Sequence, residues 1–153
     1  MKESINKSFN HFKIHTQYSI CEGAIKIDQL KDYCKKNKIK SLGLSDTTNL
    51  CGALEFSENL SKIGTQPIIG TQVNFKFADQ IGLLPLIATS EESYKSIIEM
   101  SSNSYLKNDG MSEPHCNFKD LTAISKDIII LSGTVNGLVG KLFDKGLFNE
   151  IEE

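Results

Sequence analysis

Two histidines and three carboxylates stand where chemistry could be done. His11 and His15 flank Lys13 at alternate positions, Glu22 follows next to Gly23, and Asp46 precedes Glu55 by nine residues. Imidazole and carboxylate together hold divalent cations, which activate water and clamp phosphoryl oxygens, so such a set suits a metal-dependent hydrolase. By residue type alone the case is weak, because scattered acids and histidines at strand ends more often serve structure. The four cysteines, Cys21, Cys34, Cys51 and Cys116, form no CxxC pair and read as reduced, small apolar side chains. His115 and Cys116 adjoin in a polar stretch after Pro114 and read as a loop pair, not as metal ligands.

The elements that must position these residues follow from periodicity. Phe9 to Thr16 alternates, is rich in aromatics, and predicts a strand. Ile27, Leu30, Tyr33 and Cys34 recur at helical spacing as far as Asn37. Ser41 to Leu44 predicts a short buried strand that ends in Ser45-Asp46-Thr47-Thr48-Asn49, a run of N-cap residue types. A helix with Leu50, Ala53, Leu54, Ser57 and Leu60 on one face comes next. Pro67 to Phe77 is extended, and Gly82 to Ala88 is a further apolar strand. Thr89-Ser90-Glu91-Glu92 predicts a capping box for a helix with Tyr94, Ile97, Ile98 and Ser101. Asn103 to Asn117 reads as a surface loop, Asp127 to Leu131 as a buried strand, Ser132-Gly133-Thr134 as a turn, and Val135 to Phe143 as a helix.

Apolar strands alternating with helices predict an α/β fold with a parallel sheet covered by helices. Chemistry in such folds belongs at the carboxyl ends of the strands. Here those ends are His15-Thr16, Ser45-Asp46-Thr47 and Ser132-Gly133-Thr134. No closing strand follows Phe148, so the 153 residues read as a domain cut part-way, with a tail over residues 1–8 and a partial domain over 9–153.

Composition narrows the partners. All 17 basic residues are lysine, against 19 acids, for a net charge of −2. Arginine supplies the fork that reads guanine edges and phosphates, so its absence disfavours sequence-specific DNA reading by this segment. Residues 1–50 carry +4, much of it in Lys31, Lys35, Lys36, Lys38 and Lys40, which read as the solvated face and exit of a helix. No apolar run has the length of a membrane span, and no signal core follows Met1, so a cytoplasmic protein with no membrane partner is expected.

The order of motifs resembles a known family. His11 to Ala24, then Leu44-Ser45-Asp46-Thr47-Thr48-Asn49-Leu50-Cys51-Gly52-Ala53-Leu54-Glu55-Phe56, then Pro67-Ile68-Ile69-Gly70, are similar to the polymerase-and-histidinol-phosphatase (PHP) domain that opens bacterial DNA polymerase III alpha subunits. The similarity continues through Gly82 to Tyr94 and Ile129 to Gly133, and spans about residues 9–142. The resemblance implies the first part of a distorted, TIM-barrel-like (β/α)7 barrel. It also implies a much longer parent, a DNA-directed DNA polymerase with palm, fingers and clamp-binding regions beyond residue 153. The Mg-dependent catalytic aspartates of such a palm, and its contacts with DNA and dNTPs, would lie outside this segment.

Departures from the family pattern decide what the segment itself does. Lys13 stands where an active member has the middle histidine of HxHxH, and Thr47 stands where TDHGN has its histidine. Leu83 and Leu84 fall where a further histidine is expected, and Thr134 replaces the cysteine of LSGC. His15, Glu22 and Glu55 remain at ligand-like places. The vestigial metal-site positions are thus Lys13, His15, Glu22, Asp46, Thr47, Glu55 and Thr134, with no catalytic residue, no metal and no cofactor expected. An ammonium at Lys13 is expected to pair with Glu22 or Glu55 in place of the cation. The resemblance implies a scaffold that docks the proofreading exonuclease and other replicase subunits. The alternative is a metal-dependent PHP-superfamily phosphoesterase.

Overall fold

The structure, a computed structural model, describes residues 9–108, 110–123 and 127–152. The expected tail over residues 1–8 lies outside them. Helix α1 (Ile27–Asn37) buries Ile27, Leu30 and Cys34 and ends on Lys38, which takes the left-handed conformation at φ 53°. Tyr33, expected on the buried face, is exposed. Strand β1 (Ser41–Thr47) is buried over Leu42 to Asp46 and runs three residues further than the sequence suggested. Helix α2 (Ala53–Ser61) buries Ala53, Phe56 and Leu60 and leaves Leu54 exposed. These elements share one core with Leu42 and Leu44.

Strand β2 (Gln66–Phe77) pairs in parallel with β1, from Ser41 opposite Gln66 to Thr47 opposite Gln72. Strand β3 (Gln80–Ala88) then pairs antiparallel with β2, from Gly70 opposite Ile87 to Phe77 opposite Gln80. The expectation of a wholly parallel sheet is therefore corrected. Only Ala78 and Asp79 join β2 to β3, both at positive φ (45° and 58°), and a two-residue turn can join antiparallel strands alone. Strand β5 (Ile128–Ile130) pairs antiparallel with β3, so it runs in the direction of β1 and β2. The short strand β4 (Cys116–Asn117) pairs in parallel with Phe75 and Lys76 of β2, within a stretch read from sequence as loop.

Helix α3 (Glu91–Leu106) starts at a capping box, in which Ser90 accepts from the Ser93 backbone; the partner is Ser93 rather than a glutamate. Its last turns occupy residues assigned from sequence to the loop, and it buries Ser93, Ile97, Met100 and Ser104. Ile97 and Met100 join Val73, Phe75, Leu84, Leu86, Leu138 and Leu142 in a second core, the last two from helix α4 (Leu138–Asp144). Helix α5 (Phe148–Glu152) follows. Contrary to expectation, β5 is not buried: Ile129 and Ile130 are about half exposed at the sheet edge.

The predicted strand over Phe9 to Thr16 is reduced to isolated bridges, Ile14 to Leu44 and Thr16 to Ile25. The segment still runs beside β1, with the Gly43 amide donating to the His11 carbonyl at 2.7 Å and the Ser45 amide to the Ile14 carbonyl at 2.8 Å. Regular pairing fails because a side chain takes the Thr16 amide: it donates to Asp46 Oδ1 at 2.6 Å. Gly43 permits the close crossing, since a Cβ there would lie 2.6 Å from the Phe12 Cα.

Candidate functional site

A cavity of about 280 Å³ opens at the carboxyl ends of β1 and β5, beside the start of β3. Lys13, His15, Glu22, Gln72, Leu83, Gly133, Thr134, Asn136 and Gly137 line it. Chemistry was expected at the carboxyl ends of strands, and four of the seven residues singled out from sequence, Lys13, His15, Glu22 and Thr134, converge there. Thr47 reaches its edge by donating to Glu22 Oε2 at 2.5 Å.

Asp46 and Glu55 do not line this cavity. Successive side chains on a strand point to opposite faces, so Asp46 cannot share the face of Thr47. It is fully buried and accepts three hydrogen bonds: the Thr16 amide at 2.6 Å, the Thr16 hydroxyl at 2.7 Å, and the Ser19 hydroxyl at 2.6 Å. Glu55, in the first turn of α2, accepts the Tyr18 hydroxyl at 2.7 Å. That bond, and the carboxylate charge beside it, raise the Tyr18 pKa. The expected ion pair from Lys13 is corrected as well. Among the described residues Lys13 pairs with neither carboxylate: Glu22 instead accepts the Thr47 hydroxyl and Glu55 the Tyr18 hydroxyl.

The loop between the first segment and α1 is folded tightly on itself. The Gly23 amide donates to the Ser19 carbonyl at 2.9 Å, and a Cβ at Gly23 would fall 1.9 Å from the Thr16 carbonyl oxygen. Asn49 secures the same loop from outside, donating to the Tyr18 and Thr47 carbonyls at 2.9 Å each. Asn49 also accepts the Cys51 amide, whereas Gly52 at the α2 N-cap makes no side-chain cap.

Gln72 and Asn136 complete the cavity and were not singled out from sequence. Neither stood out in the sequence: Gln72 shares its strand with the amides Gln66 and Asn74, and Asn136 lies in a turn. Gln72 is buried, and its Nε2 lies 3.2 Å from Thr47 Oγ1 and 3.4 Å from His15 Nε2. His15 Nδ1 lies 3.4 Å from Ser19 Oγ and 3.8 Å from Glu22 Oε2.

The donor set does not fit a multinuclear metal centre. His15 and Glu22 are the ligand-type side chains in the cavity lining, and Lys13 brings a positive charge to it. Among the described residues no three of His, Cys, Asp and Glu gather as a metal site. The cysteines offer no substitute. Cys34 and Cys116 are buried, Cys21 and Cys51 are exposed, and all four are free thiols. Cys116 donates to the Met100 carbonyl at 3.3 Å, and burial, aided by the charge of Asp120, pushes its pKa up to about 11. His115 Nδ1 lies 2.8 Å from the Glu113 carbonyl, so the adjacent His115-Cys116 pair is engaged within its own surroundings.

The profile of the PHP domain matches residues 11–153. The chain belongs to the PHP domain family. Its relatives include proteins named DNA polymerase III subunit alpha. The protein from Rickettsia felis is 35% identical over 134 residues, which is 87% of this chain and 11% of that protein. The protein from Caulobacter vibrioides is 34% identical over 155 residues, 95% of this chain and 14% of that protein. This PHP segment thus spans about an eighth of the length of the curated relatives it matches. Among solved structures it is similar to a protein from Bifidobacterium adolescentis named as a metal-dependent phosphoesterase, with a TM-score of 0.50 and 17% identity. The match covers 92% of this chain and 51% of that one. An amidohydrolase from Chromobacterium violaceum gives a TM-score of 0.51 at 14% identity, over 61% of this chain and 32% of that one. At such identities the likeness concerns the fold, a truncated TIM-barrel-like PHP architecture. No helix among the described residues is long and apolar enough to cross a membrane.

Proposed function

We propose that this chain is the PHP segment of a cytoplasmic bacterial DNA polymerase III alpha subunit, and that the segment is a non-catalytic scaffold. The observation that carries the first part is the pattern of relatives. Polymerase III alpha subunits from Rickettsia felis, Caulobacter vibrioides and Haemophilus influenzae align over 87–95% of the chain at 32–35% identity. Template-directed synthesis, with Mg, DNA and dNTPs, then belongs to the remainder of the parent polymerase.

The degenerate donor set supports the second part. A hydrolase of this architecture needs cations to generate its nucleophile, and Lys13, Thr47 and Thr134 are poor ligands for one. The segment accordingly holds no catalytic metal, and its work is to support the polymerase and to dock the proofreading exonuclease with other replicase subunits. The near-neutral charge and the lack of arginine favour protein partners over direct DNA contact.

The test uses the intact gene product. It is expected to extend a primed template with Mg²⁺ and dNTPs, to co-purify with the exonuclease subunit, and to show no p-nitrophenyl phosphate hydrolysis with Mn²⁺ or Zn²⁺. Metal-stimulated hydrolysis that His15→Ala abolishes would support the phosphoesterase instead.

A further inference from the structure

The metal centre of the family has not simply decayed here. Four side chains stand linked in its place. Thr47 Oγ1 donates to Glu22 Oε2 at 2.5 Å, Gln72 Nε2 donates to Thr47 Oγ1 at 3.2 Å, and the same nitrogen lies 3.4 Å from His15 Nε2. His15 Nδ1 lies 3.8 Å from Glu22 Oε2, beyond hydrogen-bond reach, so the four form an open chain whose ends approach one another. The members come from four places in the fold: the first segment, the loop before α1, β1 and β2.

Donor and acceptor roles along the chain are mutually consistent. The two protons of the Gln72 amide nitrogen can serve Thr47 and His15, which requires His15 Nε2 to be an unprotonated acceptor. The imidazole proton then sits on Nδ1, facing Ser19 Oγ at 3.4 Å and Glu22. Ser19 can accept it, since its own proton goes to Asp46 Oδ1 at 2.6 Å. In that tautomer the Nε2 lone pair that His15 would offer a metal faces the amide of buried Gln72.

We infer that the linked chain of Glu22, Thr47, Gln72 and His15 is a metal-free clamp that pins the loop before α1 to the sheet, with Gln72 closing the site to cations. A multinuclear metal centre cross-links the same kinds of elements through its ligands, so the linked side chains keep the mechanical result without the chemistry. The inference goes beyond the polymerase reading, because it concerns this segment whatever chain carries it.

Hydrogen exchange on the intact protein, read by mass spectrometry on peptides covering residues 16–25, tests the clamp. Thr47→Val and Gln72→Met are each expected to speed exchange there about tenfold, the order of losing a hydrogen bond to a charged group or within its network. The double variant should fall short of the product of the two single effects, because Thr47 and Gln72 are bonded to each other and both substitutions cut the same chain. EDTA, Mn²⁺ and Zn²⁺ should leave exchange of the same peptides unchanged. Unchanged exchange in both variants, fully multiplicative effects, or loss of protection on chelation would each overturn the clamp. Should one variant fail to fold, the other and the chelation arm on the unsubstituted protein still decide.

Discussion

Asp46 shows how a single residue can carry a motif's resemblance and a quite different task. Its carboxylate is the common acceptor for Thr16 and Ser19, so it fastens the loop before α1 to the helix-facing side of β1. Hydrogen bonds to a charged acceptor contribute about 1.5–3 kcal/mol each and do not add simply. Asp46→Ala would leave the Thr16 and Ser19 donors buried without partners, and is expected to cost about 3 kcal/mol or more. Asp46→Asn should cost less, because one acceptor oxygen survives while the new amide faces donors. Urea unfolding of the two variants checks the order; an Asp46→Ala protein as stable as the parent would show that the cluster contributes nothing. The identity of these positions was legible through the family's motif order. Their facing was legible only through strand alternation, which puts Thr47 on the cavity side and Asp46 behind it. Gln72 was missed because an amide within Thr71-Gln72-Val73 gives no period of its own, and only the cavity makes it a partner of His15.

Elements were legible where periodicity is strong and illegible where a turn or an edge decides. Helix α1, strand β2 and the start of α3 fall where apolar spacing and N-cap residues put them. The direction of β3 did not, because Ala78-Asp79 carries none of the Asn-Gly signal that marks a tight hairpin. Both residues sit at positive φ, where a Cβ is disfavoured and glycine or asparagine is at ease. Replacing the pair, Ala78→Asn with Asp79→Gly, should therefore stabilise the hairpin by about 1 kcal/mol. The denaturation midpoint in urea is expected to rise with an unchanged slope. A lower midpoint would mean that the two side chains contribute more at the turn than their backbone strain costs. The turn joins the two strands that carry Gln72 and Leu83 to the cavity.

At the scale of the whole molecule, the sheet formed by the described residues ends at β5. Among those residues strand β5 pairs with β3 alone, and it exposes Ile129 and Ile130 at 50% and 45%. Val135, Phe143 and Phe148 are exposed in the stretch that follows it in sequence. A row of unpaired backbone groups flanked by apolar side chains is a template for pairing with another strand. In the Bifidobacterium structure of the same fold the matching region is about half the chain. The 153-residue segment expressed alone is therefore expected to self-associate through β5, and light scattering after gel filtration should report species larger than 17.0 kDa. Ile129→Lys places a charge on that edge and should shift the population toward monomer, since burying an unpaired ammonium between strands is costly. Glu22, Thr47, Gln72 and His15 lie on β1, β2 and the segment before α1, so the variant should leave the exchange of residues 16–25 unchanged. A segment that is monomeric and melts in one sharp transition without the substitution would show that the edge is protected by its own twist and brevity; three residues are few, and short edge strands resist pairing.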